Sequence, residues 1–211
     1  MTFRPFATIS LDTRKTAMFQ MNFSKIIGIS VKATSTETLY KYKLKKVMCG
    51  NCPAYNKRWA CPPFTTENDT IITSKKNANL VSIKIKPTKK NNIPKKIIDE
   101  ARVFLDELFY KLEALNLNST LLLAGSCICN FADNCPKLKK LPCVRKNKMR
   151  YSLEAFGYDV TKISEEILDT KILWQTDIQP EYFTLVYCIC SDFDISKEIK
   201  NYLSNDIKCY Y

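Results

Sequence analysis

The sequence predicts an α/β fold: a mixed, mostly parallel sheet with flanking helices and two cysteine-rich loops at strand carboxyl ends. Three observations carry that expectation. Residues 80–86, 94–116 and 119–124 read as strand, amphipathic helix and buried strand, a β-α-β unit whose two strands should lie parallel. The cysteines gather just past predicted strands, where open α/β sheets place their sites. The 211 residues suffice for one ordinary core, and no composition break demands two. The expected organisation is an N-terminal extension over residues 1–21 followed by one cysteine-rich domain over residues 22–211.

Each element has its own signal. Residues 1–21 carry no clear period, and Met21 offers an alternative start. Ser24 can cap a short helix over residues 24–29, and residues 38–47 alternate apolar with basic side chains as a half-buried strand does. Residues 80–86 form the next predicted strand, and residues 87–92 a polar turn. Pro94 opens the clearest element, a helix with Ile97, Ile98, Ala101, Phe104, Leu105, Leu108, Leu112 and Leu115 at helical spacing and Asp106 off that stripe. A short helix over residues 152–156 should stop at Gly157, with Glu154 pairing to Arg150. Thr161 or Ser164 caps a helix through Lys171; residues 182–190 make a strand, and residues 196–204 a closing helix.

Composition excludes several classes. No apolar run approaches the roughly 20 residues that a membrane-spanning helix needs. Charged residues interrupt the N-terminus, so a secretory signal is not expected and the chain is expected to remain in the cytoplasm with its thiols reduced. The net charge of +12 comes mostly from lysine, alongside abundant asparagine and isoleucine, as an AT-rich coding sequence would give. The arginine and aromatic pattern of a specific nucleic-acid binder is missing, so nucleic acid is not the expected partner. With no histidine in the chain, the commonest general base and every Cys-His or Ser-His nucleophile are excluded.

The ten cysteines carry the chemistry. Cys49-Gly-Asn-Cys52-Pro53 and Cys61-Pro62-Pro63 form a first group, in which a C-x2-C turn lets two thiolates face one centre and Cys61 adds a third. Cys127, Cys129, Cys135 and Cys143 form the second, directly after the strand ending near Gly125. Cys52, Cys61 and Cys135 precede proline, a step that ferredoxin-type cluster loops share. A thioredoxin-like dithiol would open a helix, which Pro53, Pro62 and Pro63 oppose. A zinc ribbon would want a second C-x2-C knuckle about 15 to 20 residues on. Tyr55 and Trp59 could shield the centre or simply pack.

If the strands run parallel, all three cysteine groups, including Cys188 and Cys190, converge on one sheet edge. Cys188 and Cys190, two apart on an apolar strand, are expected to pack as small core residues, and Cys209 to bind nothing. Lys137, Lys139, Lys140, Arg145, Lys146, Lys148 and Arg150 flank the second group, either as a solvated face or as cations that favour bound thiolates. Arg150 and Glu154 are the candidate cofactor-contacting residues; with Asp159 they would meet a substrate if the centre were catalytic.

Cys49-x2-Cys52-Pro-x-Tyr55-x3-Trp59-x-Cys61-Pro-Pro, taken with Pro142-Cys143-x6-Arg150-x-Ser152-x-Glu154-Ala155-x-Gly157-x-Asp159-Val160, resembles the predicted metal-binding proteins called domain of unknown function 2284. The resemblance runs from about residue 22 to the end. It implies a cysteine-ligated metal protein of the cytoplasm, iron–sulfur in type and typical of anaerobes, and it brings no reaction with it. Where that family shows C-x2-C-x2-C before its Pro-Cys, Ala132 here stands midway between Cys129 and Cys135, with Cys127 as a substitute. Which three cysteines of that loop bind stays open.

The expected function is therefore a metal-binding protein holding an iron–sulfur cluster, of the 4Fe–4S type, through Cys49, Cys52, Cys61, Cys127, Cys129, Cys135 and Cys143. It would serve in electron transfer, or as a redox or metal-handling accessory to an enzyme partner. The alternative is a structural zinc protein with a basic partner-binding face.

Overall fold

The computed structural model describes residues 21–44, 48–64, 70–89, 93–116, 118–129, 134–174 and 179–208. Its first strand forms where β-branched residues crowd the chain. Ile26, Ile27, Ile29, Val31 and Thr34 lie within β1 (Ser24–Ser35), and such side chains favour pleated backbone over helix. The helix expected over residues 24–29 is thereby corrected: Ser24 turns inward with Ile26. Ser35 then caps α1 (Thr36–Tyr40), its hydroxyl accepting from Thr38 N at 3.0 Å. That cap prevails over the alternation read as a strand across residues 38–47. Lys43 pairs with Tyr158 in an isolated antiparallel bridge, outside the four strands, and residues 45–47 lie outside the described residues.

After α2 (Thr70–Thr73), the elements come close to expectation: β2 (Asn77–Pro87), α3 (Pro94–Leu115) and β3 (Thr120–Leu122). Gly157, at φ +84, stops the short turn Glu154–Phe156 as expected. Asp159, rather than Thr161 or Ser164, caps α4 (Val160–Lys162), accepting from Lys162 N at 3.1 Å, and the helix continues as a wider π turn over Ile163–Ile167. β4 (Phe183–Ser191) and α5 (Ser196–Lys208) complete the chain.

The four strands form one sheet in the order β1-β2-β4-β3, and every neighbouring pair is antiparallel. The mostly parallel sheet is corrected. β2 and β3 do run the same way, because each is antiparallel to β4, but β4 lies between them: Val81 faces Tyr187 across one ladder and Leu122 faces Cys188 across the other. The β-α-β unit is thus split by a strand from some 60 residues further along the chain.

Both sheet faces are covered, which explains why β4 reads as an unbroken apolar run. Leu185, Tyr187 and Ile189 pack with Leu105, Leu108 and Phe109 of α3 and with Ile199 and Leu203 of α5. Val186, Cys188 and Cys190 pack on the other side with Leu39, Leu153, Phe156, Tyr158 and Ile163. Burial on two faces is usual for parallel strands, and here an antiparallel strand shows the same signature. Asn79 is also buried, and it bonds the Ile189 carbonyl at 3.0 Å while accepting from Ile195 N at 2.9 Å, just before α5. No described helix is long and apolar enough to cross a membrane.

Candidate metal centre

The first cysteine loop is a succession of tight turns. Cys52 N donates to the Cys49 carbonyl at 2.9 Å, Tyr55 N to Cys52 at 3.0 Å and Cys61 N to Arg58 at 3.0 Å. Asn56, at φ +56, lets its N–H reach back to the Pro62 carbonyl at 2.7 Å. Asparagine tolerates that left-handed backbone better than most side chains. Cys61 ends up buried, Cys49 half-buried and Cys52 exposed.

The second loop leaves β3 through Leu123, whose N–H donates to the Tyr151 carbonyl at 2.8 Å, and turns at Gly125, φ +85. Cys127 and Cys129 follow, half-buried. Beyond residues 130–133, which include Ala132 and lie outside the described residues, the buried Cys135 precedes a 3-10 turn over Pro136–Lys139. Leu141 N closes that turn on the Pro136 carbonyl at 3.0 Å, just before Pro142-Cys143.

The two loops are fastened to each other. Arg58 of the first reaches Ser126 Oγ at 2.8 Å and the Cys127 carbonyl at 3.4 Å. Lys137 of the second reaches the carbonyls of Arg58 at 3.2 Å and Cys61 at 2.9 Å. The Trp59 indole donates to the Leu141 carbonyl at 3.0 Å, and the Cys49 thiol lies 3.5 Å from the Glu154 carbonyl. Trp59 therefore clasps the two loops, and Lys137 stands 6.0 Å from its ring centroid. Among the described residues, no three or more His, Cys, Asp or Glu side chains are gathered closely enough to enclose one ion.

Burial and mutual repulsion set the acidity of these thiols. Burial pushes Cys61 up to about 11; Cys127 pushes the same way, Arg58 opposes, and Cys52 and Cys49 add smaller upward effects. Cys127 is likewise pushed up to about 11, by burial first and then Cys129, with Arg58 again opposing and Cys135 and Cys143 adding to the rise. Cys49 is raised by burial, then by Cys52 and Glu154. Thiols that raise one another's pKa across two loops are close enough for their charges to interact. They need a cation before they can ionise together.

The donor set is suited to a soft, thiophilic metal centre: it is all sulfur, without imidazole, in two connected loops. Family comparison decides the class. A family model described as predicted metal-binding protein (DUF2284) matches residues 41–188. The chain belongs to this family. No curated protein and no solved structure matches the chain.

Other expected site residues fare differently. Arg150 does not pair with Glu154; its guanidinium grips Glu113 of α3, with Nε at 3.0 and 2.9 Å from the two carboxylate oxygens and Nη2 at 2.8 Å from Oε2. Glu154 stays beside the first loop, and burial raises its carboxyl pKa, against the opposing effects of its own backbone, Ser152 and Arg102. Of the basic run, Lys148 pairs with Glu107 and Lys137 serves the loop junction, while Lys139, Lys140, Arg145 and Lys146 are exposed. Cys188 and Cys190 are core residues as expected, fully buried inside β4 with their sulfurs 3.7 Å apart, and they do not lie beyond its end. Cys209 lies outside the described residues.

Sequence reading missed Arg58, Arg102, Asp106 and Ser126. Arg102 and Asp106 stand four apart on α3, a spacing that reads as an exposed helix pair, yet both are buried and joined at 3.1 Å. Burial raises the Asp106 carboxyl pKa despite Arg102 and the Tyr187 hydroxyl.

Proposed function

We propose that the two fastened loops of this metal-binding protein hold an iron–sulfur cluster of the 4Fe–4S type, and that the chain serves as an electron-transfer or redox accessory to a protein partner in the cytoplasm. The observation that carries this reading is the junction itself: Arg58, Trp59 and Lys137 connect the turns bearing Cys49, Cys52 and Cys61 to those bearing Cys127, Cys129, Cys135 and Cys143. Seven thiols exceed the four that one cluster takes, so the set is ample for such a centre. A bound cluster would supply one-electron chemistry. The chain's part is to deprotonate and present thiols, to keep water from Cys61 and Cys135 by burial, and to hold fixed cations against the resulting charge.

Serine substitutions test the reading. Cys61→Ser and Cys127→Ser should each lower bound iron and sulfide in protein prepared without oxygen, whereas Cys188→Ser should leave both unchanged. Undiminished metal in both loop variants would end the proposal. One zinc without sulfide would replace the cluster with a structural ion.

A further inference from the structure

Two guanidinium groups converge on the residues that open the second cysteine loop. Arg102, buried on α3, donates from Nη1 to the Ser126 carbonyl at 2.7 Å. Arg58, which lies between Cys52 and Cys61, donates from Nη1 to Ser126 Oγ at 2.8 Å and to the Cys127 carbonyl at 3.4 Å. One arrives from the sheet-packing helix and the other from the first cysteine loop. Their shared target is a single turn, shaped by Gly125 at φ +85, where an added Cβ would lie 3.8 Å from Arg102 Nη1.

Arg102 is costly to keep there. A buried ion loses several kcal/mol of hydration, and an apolar pair of similar volume is often as stable. The fold nevertheless retains Arg102, clamps its Nη2 to Asp106 Oδ2 at 3.1 Å, and holds Asp106 Oδ1 with the Tyr187 hydroxyl at 2.9 Å. Tyr187 in turn stacks on Phe109 with ring centroids 4.0 Å apart. Among the described residues, the Nε of Arg102 has no hydrogen-bond partner. Such an arrangement makes sense if it holds the Arg102 Nη1 donor fixed under the Ser126–Cys127 peptide.

We propose that Arg58 is the built-in counter-charge of the thiolate centre, a cation shared between the two loops, and that Arg102, its own charge balanced by Asp106, is the positioning residue for the Ser126–Cys127 peptide. This rests on the metal-centre reading above and extends it to how the centre is balanced. Four thiolates around a doubly positive zinc ion or cluster core leave two negative charges. The Arg58 guanidinium offsets one of them, while the Arg102–Asp106 pair is neutral as a whole. The inference is therefore indifferent to whether iron–sulfur or zinc occupies the loops.

The test loads the full-length native chain, Arg58→Gln and Arg58→Lys under anaerobic conditions with iron and sulfide, and separately with zinc, then follows metal loss to excess EDTA. Because Arg102→Gln alone would strand Asp106 in the core, the second site is probed by Arg102→Met combined with Asp106→Leu, in a Tyr187→Phe background so that no buried hydroxyl loses its partner. Arg58→Gln and the combined variant should release metal about 10 to 100 times faster than native, the usual cost of losing an outer partner of a metal ligand. Arg58→Lys should recover much of that loss, and the metal-free Arg58→Gln chain should stay folded at the loading temperature, melting lower than native only by what its two lost inter-loop bonds cost. In the iron-loaded protein, Arg58→Gln should also move the midpoint potential to more negative values, since the lost cation favoured the reduced form. Native-like retention in Arg58→Gln, or a lysine variant no better than glutamine, overturns the counter-charge. A native chain that takes up neither metal overturns the metal-centre reading, and this inference with it.

Discussion

The Lys137 ammonium donates to the Cys61 carbonyl at 2.9 Å, so a cation of the second loop fixes the backbone of the most deeply placed cysteine of the first. The same group reaches the Arg58 carbonyl at 3.2 Å. Lys137→Met keeps the aliphatic stem and removes both bonds. Charged hydrogen bonds contribute about 1.5 to 3 kcal/mol each, and at this half-buried site the combined loss should be about 2 kcal/mol. A urea titration of the metal-free protein checks it; a midpoint matching native would show that the loops do not depend on this contact.

The thiol acidities predict a steep pH dependence of metal uptake. With Cys61 and Cys127 raised to about 11, both are protonated near neutral pH without metal, and binding must expel those protons. Affinity should rise with pH through the neutral range, and a pH indicator in weak buffer should register proton release on loading. In the metal-free chain, iodoacetamide should label the exposed Cys52 before the buried Cys61. The reverse order, or uptake indifferent to pH, would contradict the burial described here.

Asp106 gives a second pH signature. Burial holds its folded pKa above the unfolded value, so its contribution favours the fold below the ordinary carboxylate range and is lost as pH rises through the raised value. Asp106→Asn has no such loss. From about pH 4 to about pH 7, the stability difference between the two chains should therefore shift toward the asparagine variant. A shift in the opposite direction would mean that Arg102 outweighs burial.

Arg150 and Glu113 should couple in a double-mutant cycle, by about 1 kcal/mol for a forked, partly buried pair. Arg150 and Glu154 should show almost none. Coupling to Glu154 instead would return the pair expected from spacing alone.

Much of this architecture was legible along the chain, and the reasons for the rest are specific. α3 was readable because Ile97, Ala101, Leu105, Leu108 and Leu112 repeat at helical spacing, and the helix forms over Pro94–Leu115. Gly157 was readable because a short turn ends there in left-handed backbone. The direction of the sheet was not, since Tyr187 faces Val81 across 106 positions and nothing local to either residue states that β4 enters between β2 and β3. β1 was not legible because Ser24 has the chemistry of a helix cap, and only the β-branched run Ile26, Ile27, Ile29 and Val31 opposes it. At the candidate centre, the cysteine groups and prolines announced two loops. Their junction depends on how far the Arg58, Arg102 and Lys137 side chains reach, and spacing does not encode that.

The central claim is that the two loops share one thiolate-held cluster, and the most direct measurement is the iron, acid-labile sulfide and zinc content of the full chain purified without oxygen, together with its visible spectrum. The account predicts about four iron and four sulfide per chain, with a broad absorption near 400 nm that bleaches on reduction. One tightly bound zinc with no sulfide and no visible band, or no metal at all, would contradict it.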